Sequence, residues 1–181
     1  MRVRDLFQGI IRPSTTQITG ALWAKSLLNA LLFFAIFMVA LPWLACRALP
    51  LSLAVPAVFR TWLAGSFFVV GIGVWIACLD TFSRHGGGTP LPMDAPRTLV
   101  TRGPFAVIRN PIMAAEVLVI WGEVLYLANL GVLLYAVAVT VGADAAVRYV
   151  EEPELRTRFG AGYEEYCRLV PRWFPRIPWR G

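Results

Sequence analysis

One apolar stretch decides the fold of this chain: residues 112–147, which read IMAAEVLVIWGEVLYLANLGVLLYAVAVTVGADAAV. At about 1.5 Å of rise per residue, a continuous helix of this length would be nearly twice the roughly 30 Å hydrocarbon thickness of a bilayer. The turn-like sequence Asn129-Leu130-Gly131 interrupts the stretch near its middle. We therefore expect a helical hairpin, with helices over 112–128 and 131–148. A single long tilted helix centred on 124–143 is the alternative.

Two further stretches, residues 26–46 and 61–79, contain no charged residue and each have the length of about 20 residues that a spanning helix needs. The composition agrees, because 57% of the residues are hydrophobic and only 15% are charged. The first stretch is too long for a signal-peptide core and begins after residue 25, so we expect it to remain as a span. The sequence thus predicts an all-α integral membrane protein of about four transmembrane helices, forming one domain over residues 1–181.

Basic residues are distributed unevenly along the chain. Of the 17 Lys and Arg residues, only Arg47 and Arg60 lie between the first two spans, and none lies at the hairpin turn. The others lie before the first span, in the loop 84–111 or in the tail from Arg148 onward. The positive-inside bias therefore predicts a multi-pass protein of the inner membrane with both termini and the loop in the cytoplasm. A partnership with nucleic acid is disfavoured, since no basic stripe is interleaved with aromatic residues.

Ionisable residues inside the predicted spans are costly and mark candidate sites. Glu116 and Glu123 lie seven residues apart on the third span, and Asp144 lies near the end of the fourth. They either pair with nearby arginines and interfacial water or line a polar cavity. His85 is the one histidine and is expected in a loop beside three glycines, and the three cysteines lack metal-ligand spacing. We therefore expect neither a metal site nor a disulfide framework.

The longest polar loop follows the second span. Its first part is rich in proline, which excludes a helix and predicts an extended, ordered segment. Its second part, residues 97–111, re-enters the membrane, and Pro111 suits the first turn of the third helix. Arg109 and exposed backbone amides just before that helix suit an anionic ligand group. At the other end of the chain, residues 1–19 form either an interfacial amphipathic segment or a solvated leader.

The C-terminal tail begins with two adjacent carboxylates, Glu151 and Glu152, which are expected to face the arginines of the loop. A purely structural ion pair is one interpretation of this arrangement. Downstream, Leu155, Phe159 and Tyr163 recur at helical spacing and predict an amphipathic helix that bends or ends near Gly160.

Two spaced motifs carry a family resemblance. The pattern LVT-x-GPF-AVI-RNP over 99–111 precedes the hairpin, and EEPEL-x-x-x-FG-x-x-Y-x-x-Y over 151–166 follows it, with VPRWFPR over 170–176. Together they resemble the isoprenylcysteine carboxyl methyltransferase family and its relatives among the phospholipid N-methyltransferases. The resemblance implies a membrane-embedded methyltransferase that holds S-adenosylmethionine between segments 84–113 and 148–176.

The resemblance also implies individual site residues. Cofactor contacts are implied at Glu151 in the tail and at nine positions of the loop: Arg97, Thr98, Leu99, Val100, Phe105, Asn110, Pro111, Ile112 and Met113. Where the family has Arg-His-Pro-x-Tyr, this chain has Arg109-Asn110-Pro111-Ile112-Met113. The family's substrate-side arginine falls on Val147, with Arg148 next to it. Arg109, Arg148 and Glu152 are therefore the candidate catalytic residues.

The sequence as a whole predicts an S-adenosylmethionine-dependent methyltransferase acting on a lipophilic or membrane-borne acceptor, either a carboxylate, an amine or a thiol. The alternative is a non-catalytic or transport-related membrane protein in which Glu116, Glu123 and Asp144 line a polar path. The sequence leaves the oligomeric state open.

Overall fold

The computed structural model describes residues 28, 31–85 and 98–175. The predicted amphipathic segment 1–19, the triple glycine and the proline-rich part of the loop lie outside the described residues. Within them the chain is helical, and the one β-type pairing is an isolated bridge between Ser52 and Asn129. The all-α prediction is confirmed for this part of the chain.

Six α-helices, numbered in chain order, occur in the described residues. They are α1 (Leu41–Ala48), α2 (Ala64–His85), α3 (Pro111–Leu127), α4 (Leu130–Ala146), α5 (Glu152–Phe159) and α6 (Ala161–Leu169). Short π-helical segments lead into α1 (Ile36–Ala40) and α2 (Phe59–Leu63), and a third joins α4 to α5 (Val147–Glu151). A 3₁₀ turn, Gly103–Ala106, lies in the loop between α2 and α3.

Three continuous helical stretches in the described residues are long and apolar enough to cross a membrane: Leu31–Ala48, Phe59–Phe82 and Leu130–Phe159. They overlap the first, second and fourth predicted spans, the last of them continuing eleven residues past the predicted end at residue 148, so the protein is a multi-pass membrane protein. Helix α3 has 17 residues, or about 25 Å at 1.5 Å per residue, which is shorter than the bilayer core. The count of four spans and the membrane orientation stay predictions.

The hairpin is present. Ala128 adopts a left-handed backbone conformation with a φ of 48°, and Asn129 follows as the N-cap of α4, its Oδ1 accepting the Val132 N–H at 3.1 Å. Farther from the turn, Trp121 Nε1 donates a hydrogen bond to Thr140 Oγ1 at 3.1 Å, so α3 and α4 fold back on each other. The single long helix is therefore the wrong alternative.

The described residues fall into two compact units. The span unit comprises residues 28, 31–75 and 113–144, and its core contains six buried residues, Met38, Val119, Ile120, Val124, Val132 and Ala136. Glycines permit close helix approach here: a Cβ on Gly131 would lie 2.1 Å from the Ala45 carbonyl oxygen, and one on Gly71 would lie 2.8 Å from Val119 Cγ2. The loop–tail unit comprises residues 76–85, 98–112 and 145–175.

The connection between α1 and α2 pairs with the hairpin turn through backbone groups. Leu53 N–H donates to the Ala128 carbonyl at 2.7 Å, and Leu130 N–H donates to the Leu51 carbonyl at 2.8 Å. Asn129 Nδ2 donates to the Leu49 carbonyl at 3.1 Å. These bonds satisfy backbone and side-chain polar groups at the end of the hairpin.

Candidate functional site

A buried carboxylate lies at the centre of the loop–tail unit. The Glu152 side chain is 1% exposed and accepts two hydrogen bonds from Arg172, Nε to Oε1 at 2.7 Å and Nη2 to Oε2 at 2.8 Å. Arg109 Nη2 donates to Oε1 at 2.8 Å, and Arg156 Nη2 lies 3.6 Å from Oε2. Because a carboxylate out of water is costly unless it is paired and hydrogen-bonded, these contacts explain how Glu152 can be buried.

Arg109 joins the loop to the tail. Its Nη1 donates to the carbonyl oxygens of Cys167 at 3.1 Å and Val170 at 2.8 Å, and its backbone N–H donates to the Pro171 carbonyl at 2.8 Å. The side chain is only 10% exposed, and its Nε is buried with no acceptor among the described residues. Arg109 therefore holds the tail in place and retains one donor that no group in the described residues accepts from.

Tyr166 makes a second connection between tail and loop. Its hydroxyl donates to the Phe105 carbonyl at 2.6 Å, and the Phe105 ring packs edge-on against Phe82 with centroids 5.1 Å apart. Burial raises the pKa of the Tyr166 hydroxyl above its ordinary value, Arg109 opposes this shift, and Glu151 reinforces it. Tyr166 is thus a neutral donor within electrostatic reach of both Arg109 and Glu151. Asn110 adds a weaker contact, with Nδ2 3.3 Å from the Arg172 carbonyl.

The start of the described loop is anchored to the end of α2. Thr98 Oγ1 donates to the His85 carbonyl at 2.8 Å. The loop prediction for His85 was wrong, because this residue forms the last turn of α2. Gly103 has a φ of 58°, and a Cβ there would lie 2.6 Å from Thr81 Oγ1, which explains why glycine occupies this turn.

Apolar residues of the tail pack against one another. Tyr163, Tyr166 and Val170 form a buried cluster, against which Leu99, Leu155 and Phe159 pack. The helix ends at Phe159, Gly160 has a φ of 51°, and α6 begins at Ala161. The break thus falls where the sequence predicts a bend.

The two adjacent glutamates have opposite surroundings. Glu151 ends the π-helical segment, in which the Glu152 N–H bonds to the Val147 carbonyl five residues earlier, and Pro153 contributes no N–H to the helix that follows. Glu152 accepts hydrogen bonds from arginines, whereas Glu151 makes no hydrogen bond or ion pair with the residues that the structure describes. The charged groups that act on Glu151 are two other carboxylates, Glu152 and Glu154. The two adjacent glutamates therefore differ in whether the described residues satisfy their carboxylates.

The structure brings most of the predicted site residues into the loop–tail unit. Val100, Phe105, Asn110 and Pro111 are buried there. Arg148 is exposed on the π-helical segment, and Met113 lies in the first turn of α3, in the span unit. Arg97 lies outside the described residues. Arg172 and Tyr166 were missed as site residues, although both stand in the quoted tail motifs, because no spacing rule identifies their partners in the loop.

Comparison with known proteins identifies the family. The model of the phospholipid methyltransferase family matches residues 59–162, more than half of the chain, and the chain belongs to this family. The resemblance drawn from the two motifs is confirmed. Over 73 residues the chain is 36% identical to methanethiol S-methyltransferase 2 of Bradyrhizobium diazoefficiens, a match that covers 40% of this chain and 27% of that protein. The chain thus spans about a quarter of that relative's length.

Proposed function

We propose that this protein transfers a methyl group from S-adenosylmethionine to a lipophilic or membrane-borne acceptor. The observation that carries the proposal is the contrast between the two adjacent glutamates of the loop–tail unit. Glu152 is ion-paired with arginines, while Glu151 has no hydrogen-bond or ion-pair partner among the described residues. Family membership supports the same activity.

The chemistry of the available groups fits the cofactor. S-adenosylmethionine has an amino group and ribose hydroxyls that a carboxylate can accept, and Glu151 would take one of these. The buried Arg109 Nε has no acceptor among the described residues and suits the carboxylate of the cofactor. Leu99, Val100 and Phe105 would supply apolar contacts for the adenine ring. When bound, the cofactor supplies a methyl group on a positively charged sulfur.

The protein's part in such a reaction is mainly positioning. Methyl transfer from a sulfonium needs the donor and the nucleophile held in line, and it needs little covalent assistance. The Arg109–Glu152–Arg172 cluster would provide a rigid base because each partner is held by two or more contacts. Arg109 and Glu152 then act as positioning residues. Arg148, which is exposed and lies three residues before Glu151 in the chain, is the candidate for contact with the acceptor.

The acceptor class is the open part of the proposal. The family description names phospholipids, and the relative's name specifies a thiol, methanethiol. A thiol, an amine and a carboxylate are all nucleophiles that a sulfonium methyl group can alkylate, so each class belongs in the test.

Labelled methyl transfer tests the proposal. The purified protein in lipid nanodiscs would receive S-adenosylmethionine with a tritiated methyl group, together with a small thiol, an amine-headgroup phospholipid or a lipophilic carboxylate. We expect label in one acceptor class, and we expect Glu151→Gln to lower transfer roughly 10- to 150-fold at cofactor concentrations below saturation, in line with its weaker cofactor binding. Glu165→Gln is the matched control, because Glu165 pairs with Arg168 on the surface of α6. Absence of transfer to every class, together with no cofactor binding at millimolar concentration, would overturn the proposal.

A second candidate function, a non-catalytic membrane protein with a polar path, is favoured by one observation. Glu123 Oε2 is buried in the span unit with no hydrogen-bond partner among the described residues. A carboxylate in this state inside a span usually has a function. Wild-type-like methyl transfer by Glu123→Gln would show that this carboxylate is not part of the transferase activity.

A further inference from the structure

The side chain of Arg60, at the start of the second span, is anchored by one hydrogen bond. Its Nε donates to the Tyr126 carbonyl at 3.2 Å. Tyr126 lies in the last turn of α3, where carbonyl groups have no partner within the helix, so Arg60 caps that helix end. A guanidinium group has five N–H donors, and the four on the terminal nitrogens make no bond to the residues that the structure describes. Arg60 is exposed, so these donors face outward.

Arg47 is a second fixed cation in the span unit. It lies in the last turn of α1, and its guanidinium carbon is 5.0 Å from the centroid of the Trp43 ring. Stacking on an indole orients the guanidinium group and leaves its N–H edge available. Like Arg60, it is exposed and has no ion pair within the described part of the chain.

Both arginines lie at the end of the span unit that contains the α3–α4 turn. Leu49, two residues after Arg47, accepts a hydrogen bond from Asn129. Asn129 follows three residues after Tyr126, to which Arg60 is bonded. Arg60 is thus bonded to the residue three positions before Asn129, and Arg47 lies two positions before the residue to which Asn129 is bonded.

No carboxylate of the span unit neutralises this end. Residues 26–79 contain no Asp or Glu, so Arg47 and Arg60 are the charged residues of this stretch. Glu116 and Asp144 lie ten or more residues from the turn, about 15 Å along their helices at 1.5 Å per residue. Glu123 is nearer, but its Oε2 is buried without a hydrogen-bond partner in the described residues.

Exposed aromatic residues mark the same end. Trp43, Trp62 and Tyr126 are 55%, 76% and 58% exposed. Tryptophan and tyrosine concentrate at the level of the lipid headgroups, where their amphipathic rings meet both water and hydrocarbon. The two guanidinium groups therefore lie at the depth where a bilayer presents its phosphates.

From these observations we propose that Arg60 and Arg47 each bind the phosphodiester of an anionic phospholipid at the turn end of the span unit. A guanidinium group matches phosphate oxygens in pairs, and the excess positive charge here favours a lipid whose headgroup carries no cation of its own. Lipid binding would explain why arginines occur in the connection between the first two spans, where the positive-inside bias does not call for basic residues. The site is separate from the loop–tail unit, and it does not depend on methyl transfer.

The test uses the full-length protein, delipidated in detergent and titrated with phosphatidylglycerol or phosphatidylcholine, with bound lipid counted by native mass spectrometry. We expect wild type to retain phosphatidylglycerol in preference to phosphatidylcholine. Arg60→Ala and Arg47→Ala should each weaken retention about tenfold, the effect of losing one charged pair of about 1.4 kcal/mol. Arg47 caps no helix, so its variant separates lipid binding from the structural role of Arg60.

Arg84→Ala is the matched control, since Arg84 is an exposed arginine paired with Asp80 in the loop–tail unit. It should retain phosphatidylglycerol as wild type does. The proposal would be overturned if both turn-end variants retained lipid normally, if Arg84→Ala lost as much as they do, or if phosphatidylcholine bound equally well. Displacement of the lipid by 10 mM inorganic phosphate, on the order of a weak free-anion Kd, would assign the site to a free anion instead and overturn the lipid assignment.

Discussion

The two units of this protein satisfy their polar groups in different ways. In the span unit, hydrogen bonds between neutral groups satisfy most of them, as at Asn129, which caps α4 and bonds to the Leu49 carbonyl; the bond from Arg60 to the Tyr126 carbonyl is an exception. In the loop–tail unit, charged side chains do it, with Glu152 bound by arginines from the loop and from the tail. Neutral bonds avoid the desolvation cost of charge in lipid. The difference suggests that the protein concentrates its ionic groups where it would hold an ionic cofactor.

The largest loss of stability is expected when the central charge of the loop–tail unit, the Glu152 carboxylate, is removed. Glu152→Ala leaves the nine-tenths buried Arg109 without its carboxylate, and loss of one partner of a buried pair costs about 3–5 kcal/mol. We expect a large drop in the thermal unfolding midpoint in detergent. Glu165→Ala removes an exposed pair and should cost less than about 1 kcal/mol. Equal midpoints for the two variants would show that the cluster does not stabilise the unit.

A close helix contact is the corresponding weak point of the span unit. Gly131→Ala places a Cβ 2.1 Å from the Ala45 carbonyl oxygen, and the resulting backbone displacement should cost about 1–3 kcal/mol. Gly142→Ala, in the same helix, has nothing within 4 Å of the added carbon and should be neutral or slightly stabilising. The measurement is again thermal unfolding in detergent. A Gly131 variant as stable as the Gly142 variant would contradict the packing described for α1 and α4.

The smallest effect is expected at the hairpin turn. Asn129→Ala loses the α4 cap and the bond to the Leu49 carbonyl, and caps contribute about 1 kcal/mol. Asn129→Asp keeps an acceptor for the Val132 N–H and should recover part of that loss. Comparing the thermal unfolding midpoints of the two variants separates the contribution of the α4 cap from that of the bond to the Leu49 carbonyl. Identical losses would indicate that the cap contributes nothing.

Much of this architecture could be predicted from sequence because it follows local patterns. Apolar runs placed the spans, Asn129 and Gly131 placed the hairpin turn, and Gly160 placed the break in the tail. His85 was misplaced because the adjacent glycines suggested that the helix had already ended. Arg172 and Tyr166 could not be recognised, since their partners Glu152 and Phe105 lie 20 and 61 residues away along the chain with no periodic relation. Nor could sequence distinguish Glu151 from Glu152, because their surroundings depend on the fold of the loop–tail unit.

The central claim is that Glu151, unlike its neighbour, is held ready for the cofactor. Titration calorimetry with S-adenosylmethionine on the wild-type, Glu151→Gln and Glu165→Gln proteins tests it most directly. Hydrogen bonds to a charged group are worth about 1.5–3 kcal/mol, so Glu151→Gln should bind roughly 10 to 150 times more weakly, with an unchanged unfolding midpoint. Glu165→Gln should bind as wild type does. Wild-type affinity in Glu151→Gln, or no binding by the wild-type protein, would contradict the account.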